Sequence, residues 1–303
     1  MRAAIIGAGA IGGYIGARLL QHGIDTTFVA RGATLAALRE RGLALKSPLG
    51  DAQFDRIAAT DDPRSIGDVD LVVLAVKAWD VEAALAGLAP PRFVLTTQNG
   101  VEPPLAIAER VGKDRTIVGL FRTPTLVVEP GRLHHIGGNA IQLGMIGASD
   151  PVLEELRPVL GATISADIVT AMWDKMIGMA VTTGIGALTR APLGVLLDLP
   201  AVRELVEAAM REAVAVARAH GAKLAPDHAD KAFANRAAFS RSTVFSTQRD
   251  ILHGRPSELD TQIAAIPRLG RARGVPTPIF DVVAAALLPQ ELKARGELAY
   301  ECT

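Results

Sequence analysis

An N-terminal doubly wound parallel sheet followed by an all-helical C-terminal domain is the fold class this sequence predicts. Three observations carry it. Short β-branched runs alternate with helical spacing through the first half, a glycine-rich turn directly follows the first run, and strand signal almost vanishes after Val169. At roughly 150 residues per domain, 303 residues set an expectation of two domains, placed at residues 1–166 and 167–303.

The apolar runs of the first half are Ala3 to Ile6, Thr26 to Val29, Asp70 to Val76, Phe93 to Thr97 and Thr116 to Gly119. Segments with helical spacing begin at Ile11, Ala33 and Val81, so each run is expected to feed a crossover helix and return as a parallel strand. Leu126 to Val128, Arg132 to Ile136 and Ala140 to Gly144 are separated by Glu129-Pro130-Gly131 and Gly137-Gly138. These turn signals predict antiparallel additions at the sheet edge. In the second half, Val169 to Thr189 reads as a long apolar helix and Ala201 to His220 as an amphipathic one stopped by Gly221. A third helix is expected from Pro256 to Gly274.

Hydrophobic residues make up 49% and charged residues 21%, an ordinary globular composition. The 32 basic and 32 acidic residues cancel, so no global field favours nucleic acid or an anionic membrane. The single cysteine, Cys302, excludes an intrachain disulfide framework and a thiolate-rich metal site. A cytoplasmic protein is expected. The N-terminal apolar run breaks into glycines after a few residues, as a strand and turn would, and no uncharged run reaches the roughly 18 residues of a spanning helix. His134 and His135 are neighbours in one strand and face opposite sides, so they cannot jointly ligate a metal; no metal is expected.

After the first strand comes Gly7-Ala8-Gly9-Ala10-Ile11-Gly12, then a helical run. In this place GxGxxG is the Rossmann-type dinucleotide fingerprint: Gly7 turns, Gly9 admits the pyrophosphate, and Gly12 lets helix and strand touch, with Ala10 and Ile11 opening the helix whose free amides face the phosphates. A structural glycine turn is the alternative. The second strand ends at Ala30, Arg31 and Gly32, where an NAD enzyme would carry an acid for the ribose 2′-hydroxyl. A guanidinium without a carboxylate favours NADP, unless Arg31 is a solvated loop residue. Lys77 and Asn99 follow the strands Leu71 to Val76 and Phe93 to Thr97, at the carboxyl ends where ligands bind in open α/β sheets. A surface lysine and a plain Asn-Gly turn are the alternatives.

These residues together resemble a family, the ketopantoate reductases (2-dehydropantoate 2-reductases), over the whole chain. The resemblance rests on GAGAIGGYIGARL, Arg31, VKAWD, QNGVE, the Pro130-Gly131 hairpin, Trp173-Asp174-Lys175 and DILHGRPSELD from Asp250 to Asp260. It implies NADPH-dependent reduction of a 2-keto acid to a 2-hydroxy acid and a place in pantothenate biosynthesis, with a small-molecule keto substrate and a homodimer as the possible assembly. It also implies Lys175 as general acid, Glu258 as the residue that orients substrate and lysine, and Ser246 and Asn99 on the substrate. A glutamate in the first turn of a helix from Pro256 would also be favoured by the helix dipole.

The chain departs from the family where asparagines commonly follow the lysine by four and eight residues. Met179 and Thr183 stand there, and Arg249 replaces a glutamine before Asp250. Methionine cannot donate, and threonine offers one short hydroxyl. The expected substrate pocket is therefore poorer in amides and richer in apolar surface, which suits a keto compound with a different or larger side chain better than ketopantoate itself. An opine, imine or hydroxy-acid dehydrogenase of the same layout and a non-catalytic NADPH-binding sensor are the competing readings.

Overall fold

The computed structural model describes residues 1–301, so Cys302 lies outside the described residues. The chain divides into two compact units, one of Met1–Gln98 with Pro103–Ile168, the other of Asn99–Glu102 with Val169–Thr303. The second unit thus takes a four-residue segment that its sequence position had assigned to the first.

In chain order the first unit contains β1 (Arg2–Ile6), α1 (Ala10–Gln21), β2 (Asp25–Val29), α2 (Gly32–Arg41), β3 (Leu43–Lys46), β4 (Ala52–Phe54), β5 (Ala58–Thr60), β6 (Leu71–Leu74), α3 (Val81–Leu85) and β7 (Phe93–Thr96). After α4 (Glu102–Val111), whose first residue belongs to the second unit, come β8 (Thr116–Arg122), β9 (Thr125–Glu129), β10 (Arg132–His135), β11 (Ala140–Met145), α5 (Val152–Leu160) and β12 (Thr163–Ile164). Eight strands form the main sheet in the order β12-β11-β8-β7-β6-β1-β2-β5. The pairs from β8 through β5 are parallel, and β11 runs antiparallel to β8. Consecutive residues explain the apolar runs: Ala3 and Ile5 enter the core on one face of the sheet, Ala4 and Ile6 that on the other.

The hairpin β9–β10 was expected at the edge of this sheet. It belongs instead to a second, four-stranded sheet in the order β4-β3-β10-β9, in which β10 pairs parallel with β3. The pairing partner was the missing information, because LALK and AQF are three or four residues long and lack β-branched residues. The two sheets enclose α1, which is why its residues Gly12 to Leu19 are all buried. A Cβ at Gly13 would lie 2.5 Å from a Leu133 methyl of β10, and one at Gly16 would lie 2.3 Å from the Phe28 ring of β2, so the two glycines let these side chains pack directly on the α1 backbone.

The second unit is helical: α6 (Ile168–Thr189, entering from the first unit at Ile168), α7 (Leu193–Asp198), α8 (Pro200–Ala219), α9 (His228–Ala234), α10 (Ser246–Leu252), α11 (Leu259–Gln262), α12 (Ala265–Ala272) and α13 (Pro278–Ala294). The single helix expected from Pro256 to Gly274 is two short ones. Ser257, fully buried, donates its backbone N–H to both carboxylate oxygens of Glu291 on α13, at 3.0 and 3.1 Å, which pins the chain before the helix starts. Pro267 has no N–H to give the Ile263 carbonyl, so the helix restarts at Ala265 with the proline in its first turn. Glu258 consequently sits at the N-cap of α11 rather than inside a helical first turn.

Candidate active site

Each glycine of the first turn has its own physical reason. Gly7 has φ +99°, and a Cβ there would lie 2.8 Å from the Ala75 carbonyl oxygen and from Val76. At Gly12 a Cβ would come within 1.9 Å of the Gly7 carbonyl oxygen, so the turn and α1 close only without one. Gly9 differs, because a Cβ there would meet nothing within 4 Å. Its neighbours leave an open space at the head of α1, whose first residues Ala10 and Ile11 are half-buried and whose N-cap carries no side-chain bond.

That space belongs to a cleft of about 290 Å³ lined by Gly7, Gly9, Arg31, Asp80, Val127 and Pro130, among others, at the lower end of the roughly 300–1,000 Å³ of small-molecule sites. Arg31 is the N-cap of α2. Helix amides at α1, a side-chain-free glycine and a guanidinium are a donor set that fits a dinucleotide's phosphates. Asp80 is an acid on the same wall that sequence position alone did not bring near Arg31. Lys77 caps the short turn Ala78–Asp80, with its ammonium 5.7 Å from the Trp79 ring centre. Gln98 steadies the strand ends behind it by donating to the carbonyls of Leu74 and Val76 at 3.2 and 2.8 Å.

The second constellation lies in the other unit. Lys175, about two turns into α6, donates from Nζ to Asn99 Oδ1 at 3.0 Å, and Asn99 donates from Nδ2 to Glu258 Oε2 at 3.2 Å. An asparagine suits this place because it offers an acceptor to a cation and a donor to a carboxylate from one short side chain. Asn99, expected on both cofactor and substrate, thus has its amide engaged on the side of Lys175 and Glu258. The same Glu258 oxygen accepts from Gln262 Nε2 at 3.2 Å, and that amide also donates to Thr247 Oγ1 at 2.9 Å. Glu258 is 5% exposed and Gln262 1%. Nearby, Arg268 grips Glu102 with two nitrogens at 3.2 and 2.7 Å and Asp260 at 2.8 Å. These partners raise the Arg268 guanidinium above its ordinary range. The bonds to Asn99 and Glu102 explain why residues 99–102 belong to this unit.

The α6 helix runs unbroken through Gly178 and Gly184, so Lys175, Met179 and Thr183 share the face their spacing predicts. Met179 is half-buried. Thr183 is fully buried, and its hydroxyl has no hydrogen-bond partner. Ser246 is exposed in the first turn of α10, and none of these bonds reaches it. Counting amides from positions 179 and 183 alone understated the polar character here, because Gln262 supplies one from α11. Its signal was present in the sequence: Glu258 and Gln262 stand four apart. Among the described residues no group of three or more His, Cys, Asp or Glu could hold a metal, and no helix is long and apolar enough to cross a membrane.

Two family models cover most of the chain: "Ketopantoate reductase PanE/ApbA" over residues 3–148 and its C-terminal counterpart over 167–291. The chain belongs to the ketopantoate reductase family. A curated relative, the 2-dehydropantoate 2-reductase of Mesorhizobium japonicum, is 31% identical over 94% of this chain and 96% of its own. Among solved structures, the PanE/ApbA family ketopantoate reductase of Ralstonia eutropha superposes with a TM-score of 0.88 at 30% identity, covering 97% of this chain and all of the other. A D-mandelate dehydrogenase solved with NADH and anilino(oxo)acetate shares the fold at 22% identity, with a TM-score of 0.86 over 97% of this chain and 99% of its own. The family is one of NAD(P)-dependent oxidoreductases, and this chain is an oxidoreductase of the ketopantoate reductase type.

Proposed function

We propose that this protein reduces ketopantoate, or a closely related 2-keto acid, to the 2-hydroxy acid with NADPH. The observation that carries the reading is the bonded series Lys175, Asn99, Glu258, which places an ammonium and a carboxylate on the two ends of one amide. A sensor that only binds the nucleotide needs neither.

When bound, the nicotinamide supplies a hydride to the keto carbon. That addition leaves negative charge on the former carbonyl oxygen. Lys175 meets the charge with its ammonium and gives up a proton from Nζ, completing the hydroxyl. Asn99 fixes the direction of the Lys175 ammonium through Oδ1, and Glu258 fixes the direction of the Asn99 amide, so the proton donor is oriented before reaction. In the first unit, Gly9 leaves room for the pyrophosphate against the first amides of α1, and Gly7 and Gly12 shape that turn. Arg31 is the residue proposed to meet the adenosine 2′-phosphate, with Lys77 as a second cation on the cofactor side. Met179, Thr183 and Ser246 are proposed to contact the keto acid.

The test follows NADPH absorbance with ketopantoate and a panel of other 2-keto acids. Turnover with ketopantoate or a close analogue is expected. NADPH binding without oxidation by any keto acid would overturn the reading in favour of a sensor, and preferential reductive condensation of a keto acid with an amine would indicate an opine-type dehydrogenase.

A further inference from the structure

Gln262 stands at the end of the bonded series and is engaged on one side only. Both hydrogens of its amide nitrogen are used, one on Glu258 Oε2 at 3.2 Å and one on Thr247 Oγ1 at 2.9 Å. Its Oε1 is buried and has no hydrogen-bond partner. Exchanging the amide's oxygen and nitrogen would not cure this, because it would set a carbonyl oxygen against the Glu258 carboxylate. The orientation is therefore fixed by Glu258, and an acceptor is left over. Buried acceptors are nearly always satisfied in native proteins, so one held in place without a donor marks a position at which a ligand can supply it.

A second unsatisfied group faces the same place. On α6, a Cβ at Gly186 would lie 2.8 Å from the Gln248 amide, and one at Gly184 would lie 3.4 Å from Ile263. At about 100° per residue, Thr183 projects between those two directions. Gln248 and Ile263 are the chain neighbours of Thr247 and Gln262, which are bonded to each other. Thr183 thus lies on the sector of α6 that faces the Thr247–Gln262 pair, and its own hydroxyl is unpartnered. Two buried groups, the Gln262 Oε1 acceptor next to Glu258 and the Thr183 hydroxyl on the facing sector of α6, are thus both unpartnered.

We infer that Gln262 is a specificity-determining residue of the reductase, accepting a hydrogen bond from a donor on the side chain of the keto acid while Thr183 meets the same group from α6. The inference rests on the proposed keto-acid reduction. It assigns to α11 the amide function that Met179 and Thr183 cannot provide from α6. A hydroxyl satisfies both positions, since it donates to Gln262 Oε1 and accepts from Thr183 Oγ1, whereas an aliphatic side chain leaves both unmet.

The test compares ketopantoate with its deoxy analogue, 3,3-dimethyl-2-oxobutanoate, in the wild type, Gln262→Met and Thr183→Val. The wild type should prefer ketopantoate in kcat/KM by about tenfold or more, since a site built around a hydroxyl leaves polar groups unpaired with the analogue that lacks it. In Gln262→Met that preference should shrink by about tenfold, chiefly through KM for ketopantoate, and in Thr183→Val by a smaller factor in the same direction. A loss of equal size for both acids would show a merely structural glutamine and overturn the inference, as would an unchanged preference in both variants. If Gln262→Met does not fold, Thr183→Val alone decides, because it replaces a hydroxyl by a methyl of similar size. Should the wild type turn over neither acid, the proposed function fails, and calorimetric titration of pantoate and its deoxy counterpart in the presence of NADP separates the two claims. A preference for pantoate that is lost in the variants supports the inference. Equal affinity overturns it.

Discussion

The two halves of the candidate machinery are built in opposite ways. In the first unit, six consecutive residues from Gly7 to Gly12 make the turn, and Gly7 and Gly12 answer to neighbours a few residues away or just beyond an adjacent strand. In the second, the bonded groups come from positions 99, 175, 247, 258 and 262, on separate helices and a loop. A site made of contiguous residues is held by backbone geometry and tolerates little change in its own shape. A site made of distant residues is held by side-chain bonds, and each bond can be cut singly.

The largest effect expected is at the proton donor. Lys175→Met removes the ammonium while keeping the helical stem, and turnover should fall about 100-fold or more, the size general acid catalysis contributes. The dissociation constant of NADPH, measured by fluorescence titration, should move far less. Near-full turnover in this variant would detach the bonded series from the chemistry.

Next in size is the contrast between two glycines of one turn. Gly12→Ala sets a Cβ 1.9 Å from a backbone oxygen that cannot move without opening the turn, and a loss of about 2 kcal/mol or more is expected from such a backbone clash. Gly9→Ala meets nothing within 4 Å. Its Tm should stay near the wild-type value while NADPH affinity drops, because the methyl occupies the space left for the pyrophosphate. Equal Tm losses in the two variants would mean that Gly9 is structural as well.

This contrast also accounts for what the sequence made legible. The glycine turn, the parallel strands and the long helix carrying Lys175 follow from local patterns, because their hydrogen bonds close within or beside the pattern that signals them. The second sheet did not, since the β9–β10 hairpin joins it through β10 pairing with Leu43–Lys46, a strand with no strand-like composition. Asn99 was reached from its place at the carboxyl end of a strand, but Lys175 and Glu258 only through resemblance, as nothing local ties position 99 to 175 or 258. Gln262 was passed over because a helix drawn from Pro256 hid the cap at Glu258, and with it the bond from Gln262 back to that carboxylate.

A smaller effect is expected at Arg31. Arg31→Ala should raise the KM for NADPH about tenfold, the worth of a charge-assisted contact, and leave NADH use nearly unchanged. Asp80 sharpens this test, since it lines the same cleft. Its change to Asn should favour NADPH further by removing a like charge from the 2′-phosphate's surroundings. Equal losses with both nucleotides in Arg31→Ala would make Arg31 a structural cap of α2.

The smallest effect concerns the tie that holds Asn99 in the second unit. Arg268 grips Glu102 through two nitrogens and Asp260 through a third contact, and Asn99 lies three residues before Glu102. The Arg268 side chain is 42% exposed, so water screens much of the attraction, and a bridge of this kind contributes on the order of 1 kcal/mol or less. Its folded-state pKa is raised above the unfolded value. The stabilisation from the guanidinium is therefore fully present below the ordinary arginine range and is lost only as pH rises through the still higher folded value. Across neutral pH, Arg268→Met should accordingly lower Tm by a few degrees at most, with no change in the difference as pH varies and a smaller difference as salt is added. The kinetic consequence separates a simple surface bridge from a positioning one. If the bridge holds the 99–102 segment so that the Asn99 amide meets Lys175, kcat should fall about two- to fivefold while the NADPH dissociation constant stays constant, the effect of a small misplacement at a proton donor. A lower Tm with unchanged kcat would show that the bonds from Lys175 and Glu258 are enough to keep Asn99 in register without it.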